Sequence, residues 1–350
     1  MAYTTINKST DYFNTKLYTG NGSSQSITGV GFQPDMVWNK ARNATEDHAL
    51  VDVIRGVTKT IYPSDTANEQ TRAYGLTAFG TDGYTVGNGT YFGNNGTNYA
   101  SWNWKAGNSQ GSSNTDGSIN TTYTSVSTTS GFSISQYTGT GSNATVGHGL
   151  GVAPKFIFTK CTSHTSDWMV YYGDATDFLK LNENNATEDL NTVWNDTAPT
   201  NSVFSLGSNG DVNTSGRTYI AYCFAEKTGF SKVGKYVGNG SADGTFVYTG
   251  FKPAFTILKR TDATGSWILV DNKRDTFNVA GKILFSADSG AEQDLRTSHT
   301  PLDLLSNGMK MRSSNLTGTT SLNIAGATYI YISFAAAPLV GSNDIPCTAR

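Results

Sequence analysis

The stretch GFQPDMVWNK, Gly31–Lys40, decides how this chain is read, because it is written three times. Its second copy is GVAPKFIFTK, Gly151–Lys160, and its third is GFKPAFTILK, Gly250–Lys259. In each copy Pro sits three residues after Gly, and Lys six residues after Pro. Pro lacks an N–H, which does no harm where a ladder is only starting. The run of aromatic and β-branched residues behind it therefore reads as a strand.

Landmarks on either side of the block recur as well. Upstream stand YTGNG at Tyr18–Gly22, YTGTG at Tyr137–Gly141 and YVGNG at Tyr236–Gly240. Downstream each copy closes on YASWNWK (Tyr99–Lys105), YIAYCFA (Tyr219–Ala225) or YIYISFA (Tyr329–Ala335). These closing runs carry almost no charge, as expected of a strand covered on both faces. Counting from each Pro keeps the register. Fourteen residues on lie His48, Trp168 and Trp267; eighteen on, Asp52, Tyr172 and Asp271; twenty-one on, Arg55, Ala175 and Arg274. Strand, short polar loop and second strand make a hairpin common to all copies.

A repeat of this length has the size of a small domain rather than of a solenoid unit. The expected organisation is an N-terminal segment 1–11, module one at 12–107, a linker at 108–130, modules two and three at 131–228 and 229–340, and a tail at 341–350. The segment between the first two modules is nearly all Gly, Ser, Asn and Thr and reads as a flexible or extended linker. Turn signals recur at Thr81-Asp82-Gly83, Ser208-Asn209-Gly210 and Ser306-Asn307-Gly308. Short strands broken by such turns predict an all-β fold of tandem β-sandwich or jelly-roll-like modules. Helix candidates are few: 186–194, and one turn at 301–305.

Composition narrows the function. Charged residues are 15% of the chain, the net charge is −2 and mean hydropathy is −0.35. An average globular chain has about 25% charged residues. Polarity here comes from Ser, Thr, Asn and Gly, which favour turns over helices. Neither nucleic acid nor a membrane is expected as partner, since no basic face and no apolar span is present. The three cysteines, Cys161, Cys223 and Cys347, are too few and too odd for a disulfide framework. The N-terminal residues lack a basic start and an apolar run, so synthesis without a secretion signal is expected.

The block from Gly31 to Arg42, with Asp52-x-x-Arg55-Gly56 after it, resembles a module of virion proteins from tailed phages of marine bacteria. The likeness covers nearly the whole chain. Copy one matches best, whereas copies two and three lack Asp35 and Trp38. The opening Met1-Ala2-Tyr3 and the ending Ile345–Arg350 are similar to that group too. The resemblance implies a particle component (tail, fibre or capsid surface), non-enzymatic, with other virion proteins as partners. Homo-oligomers, trimers among them, are expected by class.

The chemistry-bearing residues agree with that expectation. His48, His148, His164 and His299 occupy no equivalent places, and no nucleophile elbow exists. Asp211-x-Asn213 opens like a calcium loop, but the twelfth position is Tyr222 rather than Glu. Gly20-Asn21-Gly22 and its counterparts lead into strands, so they are turn glycines and not a phosphate cradle. No cofactor or metal is expected. The recurring acids are read as structural ion pairs across the hairpin, Lys40 with Asp52 and Arg55, and Lys259 with Asp271 and Arg274. Trp102, Trp104, Trp168 and Trp267 read as core. Trp194, with Asn195, lies in a loop-like stretch and is the candidate contact for a glycan or protein partner. The segments 60–75, 182–200 and 288–301 differ between copies and are where binding is expected. A receptor-binding adhesin gripping host glycan is the alternative function. A polysaccharide depolymerase built on Asp52 and Asp271 is a distant third.

Overall fold

The computed structural model describes residues 3–296, 302–313 and 320–341. It is all-β and sandwich-like, with antiparallel strand pairs and one isolated parallel bridge, Ile119 to Val146. Each module contributes one large sheet built in the same order: opening strand, closing strand, proline strand, return strand. In module one these are Phe13–Thr19, Asn98–Trp104, Met36–Ala41 and Ala49–Asp52. In module two they are Phe132–Thr138, Thr218–Phe224, Phe156–Cys161 and Trp168–Tyr171. In module three they are Ser231–Val237, Thr328–Pro338, Phe251–Arg260 and Ile268–Asp271. The last strand of each module thus wedges between its first two, with matching register: Tyr18 faces Tyr99, Tyr137 faces Tyr219 and Tyr236 faces Tyr329.

Both faces of the central strands are buried, which accounts for their continuous apolar runs. Alternate residues go to different cores. From the proline strands, Val37, Ile157 and Leu258 point outward to cores of their own, each roofed by a small second sheet. Trp38, Phe158 and Ile257 point inward to one core shared by all three modules. At its centre Trp104, Phe224 and Phe334, which hold the same place in the three closing strands, touch each other. Their ring centroids are 6.3, 5.5 and 5.7 Å apart around the triangle. Aromatic pairs of this kind add about 0.5–1.5 kcal/mol beyond burial.

The Tyr-x-Gly-x-Gly landmarks have a steric cause. A Cβ on Gly20, Gly139 or Gly238 would lie 2.3, 2.4 or 2.2 Å from a backbone carbonyl oxygen. The second glycines, Gly22, Gly141 and Gly240, have φ of +73°, +77° and +71°.

Three expectations need correction. The segment 108–130 is no loose linker: Tyr123–Ser127 forms the edge strand of module two's large sheet. Thr124 bonds Thr121 within the segment and Ser135 on the neighbouring strand, so polar composition here serves a packed edge. The stretch 302–305 is a strand, Leu302–Leu305, paired to Gly308–Met311 through a tight turn. Of the helix at 186–194 only Asn191–Trp194 is helical, with a short strand Glu188–Asp189 before it. Cys161 and Cys223 are buried free thiols; Cys347 and His299 lie outside the described residues.

Candidate functional site

The Asp-x-x-Arg turns are built identically. Asp52 Oδ1 accepts the N–H groups of Ile54 and Arg55 at 3.0 and 2.9 Å, and Oδ2 accepts Arg55 Nε at 2.5 Å. Arg55 then reaches the Leu50 carbonyl and Glu69. In module three Asp271 takes Lys273, Arg274 and the Arg274 guanidinium in the same way, and Arg274 reaches the Leu269 carbonyl and Glu292. Both pairs are buried. The expected Asp–Arg pairings are therefore present.

The lysines of those expected networks are elsewhere. Met36 faces Asp52 and Phe255 faces Asp271, which leaves Lys40 and Lys259 four residues further along their strands. Each is buried and donates to carbonyl oxygens of the neighbouring module. Lys40 Nζ reaches Ser289 at 3.1 Å, Lys160 Nζ reaches Thr66 at 2.7 Å, and Lys259 Nζ reaches Asn185 at 2.7 Å. Burial pushes Lys40 and Lys160 down to about 8 and Lys259 to about 7.

The same cyclic exchange holds for the residues fourteen after Pro. Trp168 Nε1 donates to the Tyr62 carbonyl, Trp267 Nε1 to that of Lys180, and His48 Nε2 bonds that of Phe285. So a loop of module one clasps module two, a loop of two clasps three, and a loop of three clasps one. His48 Nδ1 also accepts Trp38 Nε1 at 2.8 Å, which fixes the imidazole as neutral with its proton on Nε2. Burial, with Lys40 beside it, holds its pKa well below the usual histidine value.

Closer to the axis, each buried aspartate receives a donor from a neighbouring closing strand. Tyr222 Oη donates to Asp52 Oδ2 at 2.6 Å, and Trp102 Nε1 to Asp271 Oδ2 at 3.1 Å. The third equivalent place on a closing strand is Ile332, which has no donor, and there the acid is replaced by Tyr172. Burial raises Asp271, but Arg274 and the converging N–H groups outweigh it and hold the carboxyl below its ordinary range. Neither aspartate faces a cleft. Asp35, at the heart of the resemblance, accepts Ala106 and Asn108 N–H and so anchors the exit from module one. Burial raises it to about 6 against those bonds.

Trp194 is not an exposed platform. It is 2% exposed and meets Tyr171 edge-on, with its N–H unpartnered. Its place corresponds to Leu76 of module one: Gly75 and Val193 each accept the N–H of a matching glycine, Gly87 and Gly207. Asn195 follows in the left-handed region at φ 54° and accepts Asn143 Nδ2. The variable segments spend their first halves as the clasps described above.

The second half of segment 60–75 lines an open cleft of about 300 Å³ together with Gly89–Phe92. Arg72 crosses it. Its Nε donates to Tyr62 Oη at 2.6 Å, and its guanidinium carbon lies 5.7 and 5.4 Å from the Tyr62 and Tyr91 ring centres. Tyr74 at the rim is 69% exposed. These residues were not singled out from sequence, since an arginine and tyrosines scattered over two loops form no motif. Among the described residues no group of acids, histidines and cysteines could hold a metal, and no helix is long and apolar enough to cross a membrane. The calcium-like segment is instead a helical turn, Gly210–Asn213, capped by Asn209.

No curated protein matches the chain. Residues 8–338 match the DUF7483 family, described as a domain of unknown function, and the match runs through all three modules and their common core. The chain belongs to the DUF7483 family.

Proposed function

We propose that the chain is a non-enzymatic structural component of a tailed-phage particle, on its tail, fibres or capsid surface, acting through interfaces with other virion proteins. One observation carries the reading: the recurring charged groups are consumed inside the molecule. Asp52, Asp271, Arg55, Arg274 and the three strand lysines are all buried and all bonded within or between modules. Chemistry needs such groups at a cleft; here they rivet a scaffold. The likeness of the Gly31–Arg42 block to phage modules supplies the particle. A ring of three modules also gives one chain the multiplicity that a homotrimer would otherwise supply, which suits a particle built on rotational symmetry.

The test is gold-labelled antibody on purified intact particles, with mass spectrometry of the same preparation. Label over the capsid supports a decoration role, and label at tail or fibres supports a tail role. Particles that carry neither label nor peptide overturn the assignment. A receptor-binding role is favoured by the open cleft of module one.

A further inference from the structure

We propose that the cleft beside Arg72 and Tyr74 is a binding site for an acidic saccharide, with the sugar carboxylate on Arg72 and the sugar ring against Tyr74. This goes beyond the particle assignment and does not depend on it.

Arg72 stands apart from most arginines of the protein. Arg42, Arg55, Arg260, Arg274, Arg296 and Arg312 are each paired with a carboxylate. Arg72 forms no such pair with any described acid; only its Nε makes a hydrogen bond, to a phenol. The terminal nitrogens, the fork that fits a carboxylate two bonds at a time, are left for a ligand. Asp47 is the acid whose charge acts on Arg72, and it makes no bond to the guanidinium.

The guanidinium is also held in place. Tyr62 is buried, and its carbonyl accepts Trp168 Nε1 across the joint to module two. The Tyr91 carbonyl accepts Asn39 Nδ2 at 2.6 Å. The two rings beside Arg72 pack on each other, centroids 5.3 Å apart, on backbone tied to the scaffold, which lowers the ordering cost of binding. Tyr74 is fixed through its backbone, because its carbonyl accepts Gly89 N–H at 2.8 Å. Its ring is left in solvent, and an exposed tyrosine face suits the C–H face of a sugar.

Module two has the same backbone turn with a different lining. Gly89 and Asn209 each donate their N–H to matching carbonyls, those of Tyr74 and Thr192, which fixes the correspondence between the two loops. On it, Leu190 takes the place of Arg72 and Thr192 that of Tyr74. The helical turn Asn191–Trp194 takes the place of residues 73–76 and starts on the same backbone bond, Val193 N–H to Leu190 as Gly75 N–H to Arg72. Neither the cation nor the aromatic is present at the matching places of module two. A volume of about 300 Å³ admits one or two sugar rings.

The experiment is titration calorimetry of the full chain with oligogalacturonate, with an uncharged glucose oligomer of equal length and with inorganic phosphate. Saturable binding of the acidic oligomer, at least tenfold tighter than the other two, is expected. Arg72→Gln is expected to weaken it at least tenfold and Tyr74→Ala at least fivefold, each with unchanged melting temperature, since both side chains lie outside the cores. Equal affinity for phosphate would make the site an anion site and overturn the saccharide. Absence of binding, or wild-type binding by Arg72→Gln, overturns the proposal outright. None of these outcomes bears on whether the chain is found on particles.

Discussion

The joint between modules one and two and the joint between three and one each bury an aspartate, an arginine and a donor from the facing strand. At the remaining joint the equivalent places hold Tyr172, Ala175 and Ile332. The difference follows a rule. Where the closing strand offers a buried O–H or N–H, as Tyr222 and Trp102 do, the neighbour carries a carboxylate to accept it. Where the closing strand offers Ile332, the carboxylate is gone and its arginine with it. Burying a charge is costly unless it is paired and hydrogen-bonded, so the three residues are kept or lost together.

The comparison is broken most severely by taking the cation from one polar joint. Arg55→Ala or Arg274→Ala leaves a carboxylate buried without its counter-charge. Each is expected to lose about 3–5 kcal/mol in urea denaturation, whereas Ala175→Gly at the apolar joint should lose about 1 kcal/mol or less. A triple variant sharpens the point: Arg55→Ala with Asp52→Tyr and Tyr222→Ile rebuilds the first joint on the pattern of the third. It is expected to recover most of the loss, since well-packed apolar replacements of buried ion pairs are often neutral. A triple variant no more stable than Arg55→Ala alone would show that the rule is wrong.

A smaller cut removes only the donor. Tyr222→Phe keeps the ring and takes one hydrogen bond from Asp52, a bond to a charged group worth about 1.5–3 kcal/mol. Ile332→Val at the apolar joint, which removes one methylene, should cost about 0.5–1.5 kcal/mol through packing alone. The two losses are read from the same denaturation series.

Much of this was legible in the sequence. The proline block, the closing run and the fixed counts from each Pro through the hairpin gave the strands, the hairpin and the alignment of the copies, because each strand is apolar on both faces. The Asp–Arg pairing was legible since the two lie three residues apart on one turn. The lysines misled. Lys40 precedes Asp52 across a short loop, and spacing alone suggested a cross-strand pair. Yet the register sets Met36 opposite Asp52 and sends Lys40 to another module. Contacts between modules leave no trace in the spacing of one copy. A signal did exist: a lysine kept at one place among the apolar residues of the proline strand in all copies needs buried acceptors. Trp194 misled because its flanks are polar, while its match to the core residue Leu76 appears only once the backbone bonds are compared. The Arg72 cleft, assembled from loops twenty residues apart, left no motif to find.

Acid titrates another difference. Module one holds Trp38 and His48 where module two holds Phe158 and Trp168. His48 is buried neutral and its folded pKa is depressed, so the unfolded chain takes up a proton near 6.5 that the folded chain refuses. Its contribution is fully present above pH 6.5 and is lost as pH falls below it, at up to about 1.4 kcal/mol per pH unit. Asp35 acts oppositely. Raised to about 6, it favours the folded state increasingly as pH falls from there toward the ordinary carboxylate range. Lys40 and Lys160, at about 8, add almost no slope below pH 6.5, and Lys259, at about 7, adds a small one that wild type and variant share. The double variant Trp38→Phe, His48→Trp copies module two and leaves Asp35 in place. Between pH 5 and 6.5 the wild type should therefore lose stability relative to the variant as acid is added, by about 1–2 kcal/mol over that span. Parallel curves would mean that His48 is protonated in the folded protein.

The smallest effect is expected at the centre. Trp104 shares its triangle with Phe224 and Phe334, and its N–H is buried without a partner. Trp102, two residues earlier on the same strand and in the same core, gives its N–H to Asp271. Replacement by Phe removes similar volume at both sites, so the cavity term largely cancels in the comparison. What differs is the N–H. At Trp104 its removal relieves an unmet donor and offsets the lost packing, for a net change within about 1 kcal/mol of zero. At Trp102 it strips a bond from a buried carboxylate and adds about 1.5–3 kcal/mol to the packing loss. Equal losses for Trp104→Phe and Trp102→Phe would mean that the axis is held by volume alone. A larger loss at Trp102 would place the decisive interaction where the modules exchange charge and donor.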